Sequence, residues 1–214
     1  MSTDRDTRAA EIAAELPESR AELLAAAAET ARQFDAAVMA EDEAKARTAQ
    51  EWAEAIVWKL NGGTLFGCRA DRDSSAGYVI ERHCAAVPGT APRWGQSGEF
   101  LITVEGIRAV VEYRTDFGGM QHFSFHAVDL DAPFISETGY RSHFFPLPFG
   151  YTVNEAAEGI LAAFIQSDGR KVIAPDSRRF REQAEPRPWL AELEPLTPAD
   201  LTYEDSAGQM AFGF

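Results

Sequence analysis

The chain has 214 residues, with 34 Asp and Glu against 20 Lys and Arg, a formal net charge of −14, and 45% apolar and 11% aromatic residues. That length and apolar content suffice to bury a core without disulfides or metals, and they exclude a chain disordered throughout. The acid excess speaks against phosphate backbones and anionic membranes, so the sequence predicts no direct nucleic-acid contact and no membrane partner.

Residues 1–19 are polar, interrupted by Pro17, and read as a frayed N-terminus. Ser19 and Glu22 then form a capping-box signature. Leu23, Leu24, Ala27, Ala31, Phe34 and Val38 recur at helical spacing, and Ala49, Trp52, Ala53, Ile56, Val57 and Leu60 continue it. Asn61-Gly62-Gly63 ends the run. The segment reads as one long helix or a helical hairpin turning near residue 40, and its Ala-rich first half reads as a surface for a partner or a second copy.

Residues 64–145 read as β. Tyr78 to Val87 is the first expected strand, closed by Pro88-Gly89, and Trp94 falls in a loop. Phe100, Ile102 and Val104 alternate, as do Ile107, Ala109, Val111 and Tyr113, with Glu105-Gly106 between them as a hairpin turn. Asp116 to Gly119 is the next turn and Gln121 to Leu130 the third strand. Phe134 to Phe145 reads as an irregular or edge segment. Thr152 and Glu155 cap a strong amphipathic helix over 152–168, with Gly169 as its stop. Beyond Pro175 only short helical pieces are expected, near 177–183 and 189–190, then a tail over 206–214. The sum is an α+β fold: an antiparallel β-meander sheet covered by helices, an N-terminal Ala-rich helix or helical hairpin, and an irregular acidic C-terminal tail. The expected organisation is a flexible terminus (1–19), a helical segment (20–61), an α+β core (62–175) and an acidic, Pro-containing extension (176–214).

No chemical motif is complete. Cys68 and Cys84 are too few for a disulfide framework, no leader or apolar run of roughly 18 residues is present, and a cytoplasmic protein with free thiols is expected. His122 and His126 share a face of one strand, but residues four apart in a strand stand about 13 Å apart, too far to share an ion. No metal and no cofactor is predicted. His83 and Cys84 are neighbours on an expected strand and cannot form a dyad. Glycine-rich phosphate loops are absent.

One segment is dense in functional groups: Ser136-Glu137-Thr138-Gly139-Tyr140-Arg141-Ser142-His143. Glu137, Tyr140, Arg141 and His143 are candidate binding residues, set against a plain turn in which Glu137 pairs with Arg141. The run from Phe134 to Phe144, with Trp94-Gly95-Gln96 upstream, resembles stretches in uncharacterised accessory proteins of conjugative plasmids, phages and integrative elements. The resemblance implies a setting in which small acidic proteins blunt host restriction or CRISPR systems. On this reading the chain is a non-enzymatic acidic binding protein that docks on a basic protein or ribonucleoprotein. Its binding residues would be Glu41, Asp42, Glu43, Glu192, Glu194, Asp200, Glu204 and Asp205. The alternatives are a small hydrolase- or transferase-like enzyme built around 136–143, using His and Glu as acid and base, and a structural subunit that pairs as a homodimer through the Ala-rich helix.

Overall fold

A computed structural model describes residues 4–115, 120–182 and 187–190, and the backbone of 202–204 and 210–212. The predicted turn at 116–119 lies outside the described residues.

The polar start of the chain is a helix, α1 (Asp4–Ala13), where the sequence reading has a frayed end. Its polarity is one-sided. Ala9, Ile12 and Ala13 are buried, while Arg5 and Arg8 reach Glu54 and Glu51 at 2.9 Å. Those acids stand on α3 (Glu43–Leu60), which pairs with α2 (Arg20–Met39) as the hairpin that one branch of the sequence reading expects. Lys59 Nζ donates to the carbonyls of Ala13 and Leu16, at 3.0 and 2.8 Å, and so satisfies acceptors left over at the end of α1. At the start of α2, Ser19 Oγ accepts from the Glu22 amide at 3.3 Å, and the Glu22 carboxylate accepts from the same hydroxyl.

Two apolar clusters share this hairpin. Leu23, Ala27, Ala55 and Ile56 pack with α1 and with α4 (Ala76–Cys84). Phe34, Ala37, Val38, Ala46 and Ala49 pack against the sheet. The Ala-rich half of α2 therefore buries its apolar side within this chain. Small side chains serve that purpose, since they let α3 and α4 approach α2 closely.

Where a turn to Gly77 and a strand from Tyr78 to Val87 are predicted, residues 76–84 form α4. The β-branched and aromatic content of Tyr78-Val79-Ile80 argues for a strand, but the buried positions are Ala76, Gly77, Ile80 and Cys84, which follow helical spacing. Tertiary burial of that face decides the outcome.

The sheet runs β1 (Gly98–Val104), β2 (Ile107–Arg114), β3 (Met120–Ala127) and β4 (Tyr140–Pro146), all antiparallel neighbours in chain order. Glu105 and Gly106 both take positive φ, 50° and 77°, which a tight two-residue hairpin requires. The inner face carries Phe100, Ile102, Ala109, Val111, Tyr113, Phe123 and Phe125, covered by α5 (Val153–Asp168) and the hairpin. A full capping box at Thr152 and Glu155 starts α5. Trp94, read as a loop residue, is fully buried. Its indole N–H donates to the Tyr151 carbonyl at 2.6 Å, its amide donates to Asp35 at 3.0 Å, and its ring meets Tyr113 edge-on at 5.5 Å. After α5 come α6 (Pro175–Glu182) and a 3-10 turn (Pro188–Leu190), the two short helical pieces expected there. The backbone of Thr202–Glu204 (β5) pairs with that of Met210–Phe212 (β6).

Candidate functional site

The predicted acidic determinants are described only in part. Glu41, Asp42 and Glu43 make the turn between α2 and α3. Glu41 takes a φ of 56°, and Asp42 caps α3 by accepting from the Lys45 amide at 3.0 Å. The Lys45 ammonium holds the Asp42 carboxyl below its usual range. Along the helices Glu54, Glu51, Glu29 and Glu18 are each matched by Arg5, Arg8, Arg32 or Lys59. Glu192, Glu194, Asp200 and Asp205 lie outside the described residues, and of Glu204 only the backbone in β5 is described.

The 136–143 segment is divided by the pleat of β4. Tyr140, Ser142 and Phe144 fall on the outer face, and Arg141, His143 and Phe145 on the inner. Glu137 is exposed and does not bind Arg141. The guanidinium of Arg141 pairs with Asp168 instead and lies 3.7 Å from the centre of the Phe164 ring. His143 stands edge-on to Phe164 at 5.3 Å, and burial, then the Arg141 charge, pushes its pKa down. Ser136 and Thr138 serve the turn itself, with Thr138 Oγ1 donating to the Tyr140 carbonyl at 3.0 Å.

A cluster that sequence reasoning missed occupies the outer face. Arg187 joins Glu99 at 3.0 Å and Glu112 at 2.8 Å, which ties the segment after α6 to the sheet. His126 Nε2 lies 3.2 Å from Glu112, although off the line of a good hydrogen bond, and Nδ1 faces Arg181 at 3.3 Å. His126, then the Arg187 and Arg114 charges, hold the Glu112 carboxyl at about 2 against the opposing effect of burial. These groups line a groove of about 650 Å³ with Val110, Leu130 and Trp189. Cross-strand register, which a sequence does not display, brings Glu99 and Glu112 side by side.

The helical end of the molecule holds the other concentration of function. The loop from Asn61 to Ser75 and α4 carry Arg69, Arg72, Arg82 and His83, all exposed. Asp71 turns inward on its own backbone, accepting from the amides of Asp73 and Ser74 at 3.0 and 2.8 Å. Glu81 pairs with Arg69, whose guanidinium stands 5.3 Å from the Tyr78 ring centre. Arg82 donates to the carbonyls of Arg72 and Asp73 and, among the described residues, stands in no ion pair. Gly77 is required here, because a Cβ would come within 2.8 Å of the Cys68 carbonyl. On α4 His83 is exposed and its neighbour Cys84 buried, and burial pushes the Cys84 thiol above its ordinary value. Among the described residues no group of three or more His, Cys, Asp or Glu could hold a metal ion, and no helix is long and apolar enough to cross a membrane.

Comparison with known proteins divides the chain along similar lines. Residues 8–83 match the family model described as the KlcB N-terminal DNA-binding domain, and residues 97–189 match the KlcB third domain. A protein KlcB of Escherichia coli is 54% identical over 205 residues, covering 93% of this chain and 51% of its own length. A second protein KlcB of Escherichia coli is 50% identical over 194 residues, covering 90% of this chain and 42% of its own. The chain thus spans about half the length of the curated relatives it matches. No solved structure matches it.

The N-terminal match overturns the expectation that direct nucleic-acid contact is excluded. That expectation rests on net charge, which sums over the whole surface. Phosphate recognition needs a few cations in one place, and the loop with α4 carries Arg69, Arg72 and Arg82 on an exposed surface, Arg69 there pairing with Glu81.

Proposed function

The chain belongs to the KlcB family, and we propose that it binds DNA through the Asn61–Ser75 loop and α4. The observation that carries this reading is the set of exposed guanidiniums on that surface. Most cations of α1 to α3 are spent on carboxylates: Arg5, Arg8, Arg32, Lys45 and Lys59 all stand in ion pairs. Arg72 and Arg82 are not, and Arg69 is only partly engaged. Arg20 adds a further exposed charge near the same end of the hairpin, two residues from the Glu18 that Lys59 binds.

The surface is modest, and so is the binding it supports. Two or three arginines neutralising phosphates give a log K against log salt slope between about −2 and −3. The 97–189 unit then supplies a scaffold and a second face rather than the phosphate contact. A role as an accessory protein of a mobile element, which the resemblance of 94–96 and 134–144 implies, accords with a small DNA-binding unit. An acidic docking surface aimed at a host defence complex draws on the charge of −14 and on the mobile-element setting, and the pairing of helical acids with arginines and lysines weakens it.

The test is fluorescence anisotropy of the full chain with a labelled duplex across a salt series. Arg72→Glu replaces an attractive charge with a repulsive one, and should lower affinity at least tenfold and flatten the slope by about one unit. Equal binding by the variant and the parent chain would remove this surface from the account.

A further inference from the structure

The geometry points to Phe66 as a wedge that enters the base stack of the bound duplex, an inference that rests on the DNA-binding reading above. Phe66 is 90% exposed, far more than Met39, Met120 or Phe144. An aromatic ring on a slack loop folds down to cover itself; this one is held out. Asn61 Nδ2 donates to the carbonyls of Thr64 and Phe66, at 2.7 and 3.0 Å. The Phe66 amide donates to Thr64 Oγ1 at 3.0 Å, and the Leu65 amide to Asp6 of α1 at 2.8 Å. The Cys68 amide closes onto the Leu65 carbonyl at 3.3 Å, and the Gly77 amide onto the Cys68 carbonyl at 2.8 Å. Leu65 and Cys68 point inward and line a small cavity with Ile80 and Cys84. The backbone on both sides of Phe66 is therefore fixed, its neighbours are tucked in, and the ring alone is presented to solvent.

The surroundings state what would cover it. Arg69 and Arg72 follow three and six residues later, and Arg82 is bonded to the Arg72 carbonyl. An apolar ring on a loop that also carries exposed guanidiniums suits a nucleobase flanked by phosphates: the cations take the backbone while the ring stacks on a base face. In a duplex such a ring enters between two base pairs, partly unstacks them and bends the helix, most easily at flexible pyrimidine–purine steps. A protein partner for the ring would have to be acidic to meet the same arginines, and the chain itself carries an acid excess, so a second copy is disfavoured. Binding at this surface should bend DNA.

The experiment uses the full chain and a duplex carrying 2-aminopurine at a central TA step, with a donor and acceptor dye at its ends. The parent chain should raise the 2-aminopurine emission and shorten the end-to-end distance. Phe66→Ala should abolish both signals and weaken binding about tenfold, while keeping the parent's salt slope and thermal melt. Phe66→Trp should restore both signals. Bending and emission unchanged in Phe66→Ala, alongside weakened binding by Arg72→Glu, would sink the wedge and leave the DNA-binding reading intact. Failure of the parent chain to bind the duplex at all would sink both. A change in self-association of Phe66→Ala without change in DNA binding would assign the ring to protein contact and overturn the inference.

Discussion

The two halves of this molecule solve the charge problem in opposite ways. The helical unit of α1 to α4 pairs many of its charges internally, with Glu18, Glu29, Glu51 and Glu54 holding Lys59, Arg32, Arg8 and Arg5, and it presents exposed guanidiniums on the loop and α4. The sheet unit buries a dense aromatic inner face and gathers its charges on the outer one, where Arg187 bridges two glutamates. Net charge is therefore a poor guide to partners. What matters is which charges each surface presents after the fold has paired the others, and the loop and α4 present Arg72 and Arg82.

The comparison can be broken most sharply at Trp94, which joins both units: its amide reaches Asp35 on α2 and its ring stacks into the sheet core. Trp94→Ala should cost about 3–5 kcal/mol, as large-to-small changes of a buried aromatic do. Denaturant unfolding should show both units losing stability together. Loss confined to the sheet unit, with the helical unit untouched, would mean that the shared hairpin does not couple them.

A smaller effect separates the units by pH. Glu112 titrates at about 2 in the folded sheet, against an ordinary value of 4.5. A depressed carboxyl stabilises the fold above its unfolded value, and that contribution is lost as pH falls from about 4.5 toward 2. The loss amounts to at most about 3 kcal/mol. Thermal melts of the parent chain should decline through that window, and Glu112→Gln should show a shallower decline. Parallel declines in both would mean that the Arg187 and His126 arrangement does not hold the strap on the sheet.

The sheet was readable from the sequence because its physics is local. Alternation at 100–104 and 107–113 fixes both face and register, and Glu105-Gly106 fixes the turn. The α5 helix announced itself through Thr152, Glu155 and its apolar stripe. The α2–α3 segment reads equally as one long helix or a hairpin, and the acidic run at 41–43 supplies the turn that makes it a hairpin. Failure came where local preference and tertiary burial disagree. Residues 78–87 have strand-like content, yet Ala76, Gly77, Ile80 and Cys84 are the ones that find a partner surface, and they form a helix. Trp94 sits among Pro, Gly and Gln and gave no sign of burial, because its partners, Asp35, Tyr113 and Tyr151, are far away in the chain. The candidate sites were less readable still. The 136–143 segment looked like one cluster, but the pleat of β4 sends its groups to opposite faces. The Glu112–His126–Arg187 group depends on pairing between strands and on a strap from beyond α5. The loop and α4 were passed over because whole-chain charge was allowed to stand for local charge, although Arg69, Arg72, Arg82 and His83 lie within fifteen residues of one another.

The central claim is one of location: DNA meets the Asn61–Ser75 loop and α4. Hydrogen–deuterium exchange on the full chain, with and without a saturating duplex, tests it directly. Protection on DNA binding should concentrate in residues 61–84 and leave the sheet strands unchanged. Protection on the outer face of the sheet instead, with 61–84 exchanging as freely as before, would contradict it.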